Sequence, residues 1–279
     1  MYITQQIEAA LHAAGFKGGL HFQAVTGSTN TDAREAALQG APHGSVWLAE
    51  EQAAGRGRSD HRWESAAGKG LYLSILLRPS LAADHLQWLP LATGLAARSA
   101  IHALTPLTVD LRWPNDLLIG PRKVGGILVE SKLKANAASS AVEFAVVGIG
   151  INVHQVDFPD GLEATSLDLE LARFSTQQSA SMPAPVHRQQ LLVEFLKKFA
   201  EEWELLQRKA GRSALPRRLS QASTWIQGRE VQVHGPQACM GVTAGVDANG
   251  MLLIATGDGV RTITTGGIRA VGNATQGRC

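Results

Sequence analysis

The sequence predicts an α+β protein: a mixed sheet with flanking helices through about residue 222, then a small β-barrel. Three observations carry this. In Leu71–Leu77, the residues Leu71, Leu73, Ile75 and Leu77 share one face at period two, which specifies a strand. Leu192, Phe195, Leu196, Phe199, Trp203 and Leu206 recur at helical spacing and form one apolar stripe of a long helix. From Gly228 the pattern changes to short strands between turn residues, and Asn249-Gly250 is a two-residue hairpin signal.

The other elements follow in order. Residues 2–13 predict a short helix. Ser28-Thr29-Asn30-Thr31-Asp32 opens a second helix through Leu38, with Thr29 and Asp32 as a capping box and Gly40 at the exit. Ser45–Gln52 reads as a strand running into a Gly/Arg-rich loop. A helix over 86–104 precedes strands around 107–112, 123–133 and 143–152, and KANAASSA (134–141) is a hairpin loop between the last two. Residues 175–185 (STQQSASMPAP) are the most linker-like stretch. Strands near 230–234, 240–247, 251–255 and 260–265 complete the barrel, giving units at 1–222 and 223–272 and a tail at 273–279.

Composition excludes several classes. With 279 residues, 44% hydrophobic and 18% charged, the chain is globular rather than disordered. Twenty-six Lys+Arg against 24 Asp+Glu leave +2, which argues against a nucleic-acid coat or a polybasic membrane binder. The basic residues are 18 Arg and only 8 Lys, and Arg is the bidentate partner of carboxylates and phosphates. Cys239 and Cys279 make neither a disulfide framework nor a metal motif, so a reducing compartment is expected. No apolar run is long enough to span a bilayer: Leu86–Ala97 comes nearest and is interrupted by Gln87, Pro90, Thr93 and Gly94. The N-terminus has no secretory signal pattern. A soluble, cytoplasmic protein without a membrane partner is the expectation.

Three nucleotide signatures fail. Gly55-x-Gly57 has Asp60 where a third glycine belongs, Gly148-x-Gly150 has Val153 there, and Gly68-Lys69 lacks the upstream glycine of a P-loop. The loop from Gln52 to Trp63 is more specific. Arg56, Arg58 and Arg62 stand within seven residues, on a backbone whose glycines permit close approach. Such like charges repel unless an anion sits between them, and a phosphate or carboxylate suits their forks. Other segments are ambiguous alone. Asn115 and Asp116, after Trp113-Pro114, suit a hard cation or an Arg clamp, but an ordinary Asx-turn is the better local reading. Lys123, before Ile127-Leu128-Val129, meets an oxyanion or snorkels to water. Gly125-Gly126 makes a bulge or a close ligand approach.

In order, these pieces are specific. Thr26-Gly27-Ser28-Thr29-Asn30; Glu51-Gln52-x-x-Gly55-Arg56-Gly57-Arg58-x-x-x-Arg62-Trp63; Leu71-Tyr72-Leu73-Ser74; Trp113-Pro114-Asn115-Asp116; Lys123-x-Gly125-Gly126-Ile127-Leu128-Val129-Glu130; and Gly148-Ile149-Gly150-Ile151-Asn152 together resemble the biotin protein ligases. The resemblance covers about residues 22–272, including Gly245-Val246-Asp247-x-x-Gly250-x-Leu252. It implies a fold related to the class II aminoacyl-tRNA synthetases with an SH3-like C-terminal barrel. It also implies an enzyme that uses ATP and Mg²⁺ to make biotinyl-5'-AMP and transfers biotin to a lysine of the biotin carboxyl carrier domain of acetyl-CoA carboxylase. Too few residues precede the motifs for the N-terminal DNA-binding domain of repressor members, so a monofunctional ligase without a DNA partner is expected. Homodimers are common in the family. The rivals are a lipoate- or octanoate-type ligase on the related fold and a non-catalytic biotin sensor.

The resemblance also implies residue roles. Ser28, Thr29, Asn30, Gln52, Gly55, Arg56, Gly57, Arg58 and Lys123 would bind biotin. Arg58, Arg62, Trp63, Asn115, Lys123 and Asn152 would bind the nucleotide, with Asn115 also at the magnesium. Lys123, Arg56 and Asp116 would be catalytic, Asp116 pairing with Arg56 or orienting the incoming lysine. Two departures are His61, where the family often has Arg or Lys, and Arg112, where some members have Lys.

Overall fold

The computed structural model describes residues 2–58, 61–79, 82–134, 141–179 and 184–271. The 273–279 tail, most of the KANAASSA loop and part of the 175–185 stretch lie outside the described residues. The chain runs α1 (Thr4–Ala13), β1 (Leu20–Thr26), α2 (Thr29–Leu38), β2 (Val46–Gln52), β3 (Gly70–Leu77), α3 (Trp88–Leu104), β4 (Asp110–Arg112), β5 (Asp116–Ile119), β6 (Arg122–Leu133) and β7 (Val142–Asn152). It continues with α4 (Leu167–Gln178), α5 (Arg188–Gln207), α6 (Lys209–Ala222), β8 (Gln227–His234), β9 (Cys239–Val246), β10 (Leu252–Thr256), β11 (Gly259–Ile263) and β12 (Gly267–Ala270).

The larger sheet has seven strands in the order β1-β2-β3-β7-β6-β5-β4, with β1 and β2 parallel and the other pairs antiparallel. It is therefore mixed, with helices packed on it. Strand β3 is buried along its whole length, on both faces. One face presents Leu71, Leu73, Ile75, Ile127, Ile149 and Ile151 to α3 and α5, the main core. The other face carries α2 at one end, where Ala33 and Ala37 pack on Trp47, Leu76, Phe144 and Val146. What α2 leaves uncovered opens as a cleft.

Several local expectations are corrected. Thr29 and Asp32 form no capping box: Ser28 is the N-cap, and Asp32 accepts from the Thr26 hydroxyl at 2.6 Å instead. Gly40 does mark the exit, at φ +92°. Residues 175–178 belong to α4 rather than to a linker, and Ser166 caps that helix by accepting from Leu169 N at 3.3 Å. The Asn249-Gly250 connection is longer than two residues, since Val246 pairs with Leu252. The Asp247 carboxylate accepts from the backbone N–H groups of Asn249 and Met251, and Gly250 takes φ +83°.

The C-terminal strands form one antiparallel sheet, β11-β10-β9-β8-β12, consistent with an SH3-like domain. It docks through its turn. Trp88 Nε1 donates to Ala248 O at 2.9 Å, and Trp113 Nε1 donates to Gly250 O at 3.1 Å. Buried indole N–H groups need such partners, so the two tryptophans tie the sheet to the main body. Among the described residues, no helix is long and apolar enough to cross a membrane.

Candidate functional site

A cleft of about 1200 Å³ opens on the face of the large sheet that α2 leaves free. Side chains alternate along strands, so one face collects Gly126, Leu128 and Glu130 from β6, Gly148 and Gly150 from β7, and Ser74 from β3. Lys123 joins that face through a β-bulge. Asp116 pairs with Gly126 and Leu117 with Gly125, but Leu118 pairs with Lys123, which leaves Val124 as the extra residue. A bulge re-aims the neighbouring side chain, and here it turns Lys123 to the side of Asp116.

The glycines make room. A Cβ at Gly148 would lie 2.0 Å from Asn30 Oδ1, and one at Gly150 would lie 2.4 Å from Trp63 Nε1. Asn30 and the Trp63 indole thus rest directly on the β7 backbone. The indole N–H is buried without a partner among the described residues.

At one end of the cleft lies a buried polar floor. Thr29 N donates to Gln52 Oε1 at 2.9 Å, the Thr29 and Ser74 hydroxyls are 2.8 Å apart, and Ser74 donates to Asn30 Oδ1 at 2.6 Å. Ser28 is buried beside them. Gln52 Nε2 donates to Ser65 Oγ at 2.8 Å, closing the stem of the Gly/Arg loop. Gly55 does not line the cleft. It packs in that stem, where a Cβ would meet Trp63 O at 2.3 Å.

The loop arginines do not converge on one point. Arg56 Nη2 pairs with Glu130 Oε2 at 2.6 Å. Arg58 reaches across the cleft, donating to Gly266 O at 3.0 Å and weakly to Asn115 Oδ1 at 3.4 Å. Arg62 donates to Ala53 O at 3.2 Å and folds the loop on itself. Burial, only partly offset by Asp116, pulls the Arg58 guanidinium below its ordinary value. A buried cation of this kind gains from an incoming anion.

Asp116 does not pair with Arg56, the first of the two roles the resemblance implied for it. Its Oδ1 is 2.5 Å from Lys123 Nζ, and its Oδ2 accepts from Arg112 Nη2 at 2.7 Å and Nε at 3.1 Å. Three strands make this possible: the β4–β5 hairpin sets Arg112 opposite Asp116, and the bulge brings Lys123 from β6. Burial raises the Asp116 carboxyl, but Lys123 and Arg112 outweigh it and hold the group below its usual range. Lys123 Nζ also sits 5.5 Å from the Trp63 ring centroid. Asn115 Nδ2 donates to Ile127 O at 2.7 Å, leaving Oδ1 toward Arg58 and the cleft. Asn152 lines the cleft but directs Nδ2 to Thr165 O at 3.0 Å, bracing the wall behind Lys123.

The structure therefore brings together every site residue expected from the sequence except Gly55, which supports the loop from below. Sequence reasoning assigned no role to Glu130 or Arg112, although Glu130 ends one motif block and Arg112 precedes another. It also missed the contribution of Arg229, His234 and Arg269 from the small sheet, which line the far wall without a local signal.

Residues 22–152 match the Biotin/lipoate A/B protein ligase family model. A biotin–acetyl-CoA-carboxylase ligase of Mycobacterium tuberculosis is 32% identical over 252 residues, 88% of this chain and 86% of that protein. The bifunctional ligase/repressor BirA of Bacillus spizizenii is 40% identical over 152 residues, 53% of this chain; the match spans 46% of that longer protein. A structure of the Aquifex aeolicus biotin protein ligase with biotin and ATP superposes with a TM-score of 0.73 at 28% identity, covering 91% of this chain and 98% of that one. With a relative this similar along nearly its whole length, and with the fold in common, the chain belongs to the biotin protein ligase family.

Proposed function

We propose that this chain activates biotin with ATP as biotinyl-5'-AMP and transfers it to a lysine of a biotin carboxyl carrier domain of acetyl-CoA carboxylase. The observation that carries the proposal is the layout of the cleft: a floor of buried hydroxyls and amides at one end, and Arg58 and Lys123 beyond it. A neutral polar ring head suits the floor, and a carboxylate or phosphate suits the cations.

The chemistry follows from leaving groups. A carboxylate cannot acylate an amine, because it would have to expel oxide. Attack of the biotin carboxylate oxygen on the α-phosphorus of ATP forms the acyl-phosphate bond and breaks the bond to pyrophosphate. Negative charge gathers in that transition state, where Lys123 and Arg58 supply prepositioned positive charge. Asp116 holds Lys123 in place, while Arg112 keeps Asp116 from neutralising it fully. The neutral amine of the carrier lysine then attacks the acyl carbon, AMP leaves, and an amide remains. Closure of the Gly/Arg loop would keep water from the anhydride.

Among the described residues no three His, Cys, Asp or Glu cluster as a metal cage. The residues present would suit Mg²⁺ held mainly by nucleotide phosphates, and the neutral Asn115 Oδ1, which faces the cleft, would be the side chain to hold it from the protein. When bound, Mg²⁺ supplies charge neutralisation on the phosphates.

The same reading takes residues 1–222 as the catalytic unit and 223–272 as a small SH3-like cover, supported by the Arg58 to Gly266 contact. The protein would act as a monofunctional cytoplasmic ligase, without DNA, as its near-balanced charge favours. A homodimer, common in the family, belongs to the same proposal.

Since the family description includes lipoate enzymes, a lipoate- or octanoate-directed ligase is the second reading. Biotin-dependent exchange of pyrophosphate with ATP tests the first: we expect exchange with biotin in preference to lipoate. Preference for lipoate would select the alternative, and tight biotin binding with no exchange would indicate a sensor.

A further inference from the structure

We infer that Glu130, which lies outside the cleft, is a positioning residue that sets the direction of the hydrogen bonds in the floor and so selects a ring bearing N–H donors. The inference rests on the biotin reading above and adds to it a residue that never touches the ligand.

The argument is one of proton bookkeeping. Asn30 Nδ2 has two acceptors, Glu130 Oε2 at 2.9 Å and Leu128 O at 3.3 Å, so the amide nitrogen must face them. A carboxylate paired with Arg56 at 2.6 Å can only accept, which fixes this choice. Asn30 Oδ1 then faces Ser74 and takes its proton at 2.6 Å. With that proton spent, Ser74 Oγ can only accept from Thr29, 2.8 Å away. The Thr29 proton has a second inward choice, Gln52 Oε1 at 3.1 Å, which already receives Thr29 N–H at 2.9 Å. Either way it is committed within the protein.

What remains for a ligand at Thr29 is a lone pair. A floor polarised in this way accepts the N–H groups of a cyclic urea and offers nothing to a dithiolane, which has none. A hydrogen-bonding site discriminates most strongly when its polar groups would otherwise stay unpaired.

Glu130→Gln removes the shorter and charged of the two directional anchors, leaving only the longer contact to Leu128 O. A carboxamide can present its own N–H₂ to Asn30, letting the Asn30 amide turn over. The row would then run the opposite way, with Asn30 donating to Ser74 and Ser74 to Thr29, so that Ser74 takes up a Thr29 lone pair otherwise free for the ring, and the Thr29 proton must turn to Gln52 Oε1, which already receives Thr29 N–H, or to the ring's own donors.

The test uses pyrophosphate exchange by the full chain. We expect Glu130→Gln to raise KM for biotin about tenfold or more, as loss of a buried hydrogen-bond match does. KM for ATP and the exchange rate at saturating biotin should change by less than about twofold, and the kcat/KM preference for biotin over lipoate should fall by about tenfold. Ser74→Ala, which cuts the row at its centre, should lower the same preference, and Glu130→Gln should add little in that background. An unchanged biotin KM, an equal loss for ATP, or independent additive losses would overturn the inference. If Glu130→Gln does not fold, Ser74→Ala decides alone, and undiminished preference for biotin would overturn it. Absence of biotin-dependent exchange in the unaltered protein would instead overturn the functional reading beneath it.

Discussion

Lys123 is where the charge balance of the cleft is most exposed to experiment. Its ammonium is shared between Asp116 and the open cleft and lies by the face of Trp63. Lys123→Ala removes the charge but no core packing. We expect adenylate formation to drop by about 100-fold or more, as when a prepositioned oxyanion partner is deleted. The far-ultraviolet spectrum should hold, with a modest fall in melting temperature because Asp116 keeps Arg112 but loses Lys123; a rate near that of the unaltered protein would refute the role. The carboxyls predict a pH dependence. Asp116 and Glu170 are each raised by burial, yet their cationic partners outweigh this and leave both below their ordinary values. A depressed carboxyl binds its proton more readily in the unfolded chain, so its stabilisation is complete above the unfolded value. It fades as the pH falls through the folded value. Denaturant titrations should therefore show stability level above about pH 5 and declining below about pH 4. Stability that rises on acidification through that window would contradict these pairings.

At the scale of elements, the sheet edges and turns were least legible in the sequence. The long α5 and the buried β3 and β7 announced themselves because their apolar patterns run for many residues. Strand β4, expected around 107–112, covers only Asp110–Arg112, and β5 is four residues long, too short for a period to show, although the two carry Arg112 and Asp116. Strand β1 is mostly exposed, so it lacks an apolar signature. Helix α6 was hidden by Pro216, which removes one backbone donor from its interior. It is held in part by Arg218, whose Nη1 donates to Glu202 Oε2 at 2.8 Å while Nη2 binds Oε1. Glu202→Gln leaves that guanidinium half-partnered, and because Arg218 remains partly open to solvent the cost should be about 1–2 kcal/mol. A lower melting temperature, with amide exchange accelerated first in α6, checks this; no change would mean the pair contributes only geometry. The motif residues of the site were legible by identity, but their pairing was not. Without the bulge at Val124, nothing in the spacing says that Lys123 rather than Arg56 faces Asp116.

Across the whole molecule, the cleft is a junction of parts far apart in sequence. Helix α2 and strands β2 and β3 supply the floor, the Gly/Arg loop lies across it, and β5 and β6 carry its charged wall. The small sheet closes the far side through Gly266 and through the turn seated on Trp88 and Trp113. Because the β4–β5 turn is held by the same tryptophan contact, the charged wall and the small sheet are mechanically linked. Such an arrangement suits a reaction with two successive partners. Incubating the full chain with biotin, ATP, Mg²⁺ and a biotin carrier domain, then weighing the carrier by mass spectrometry, tests this account most directly. We predict that the carrier gains the mass of one biotinyl group, dependent on ATP and absent with Lys123→Ala. A folded protein that leaves the carrier's mass unchanged, while a reference ligase modifies the same preparation, would contradict the account.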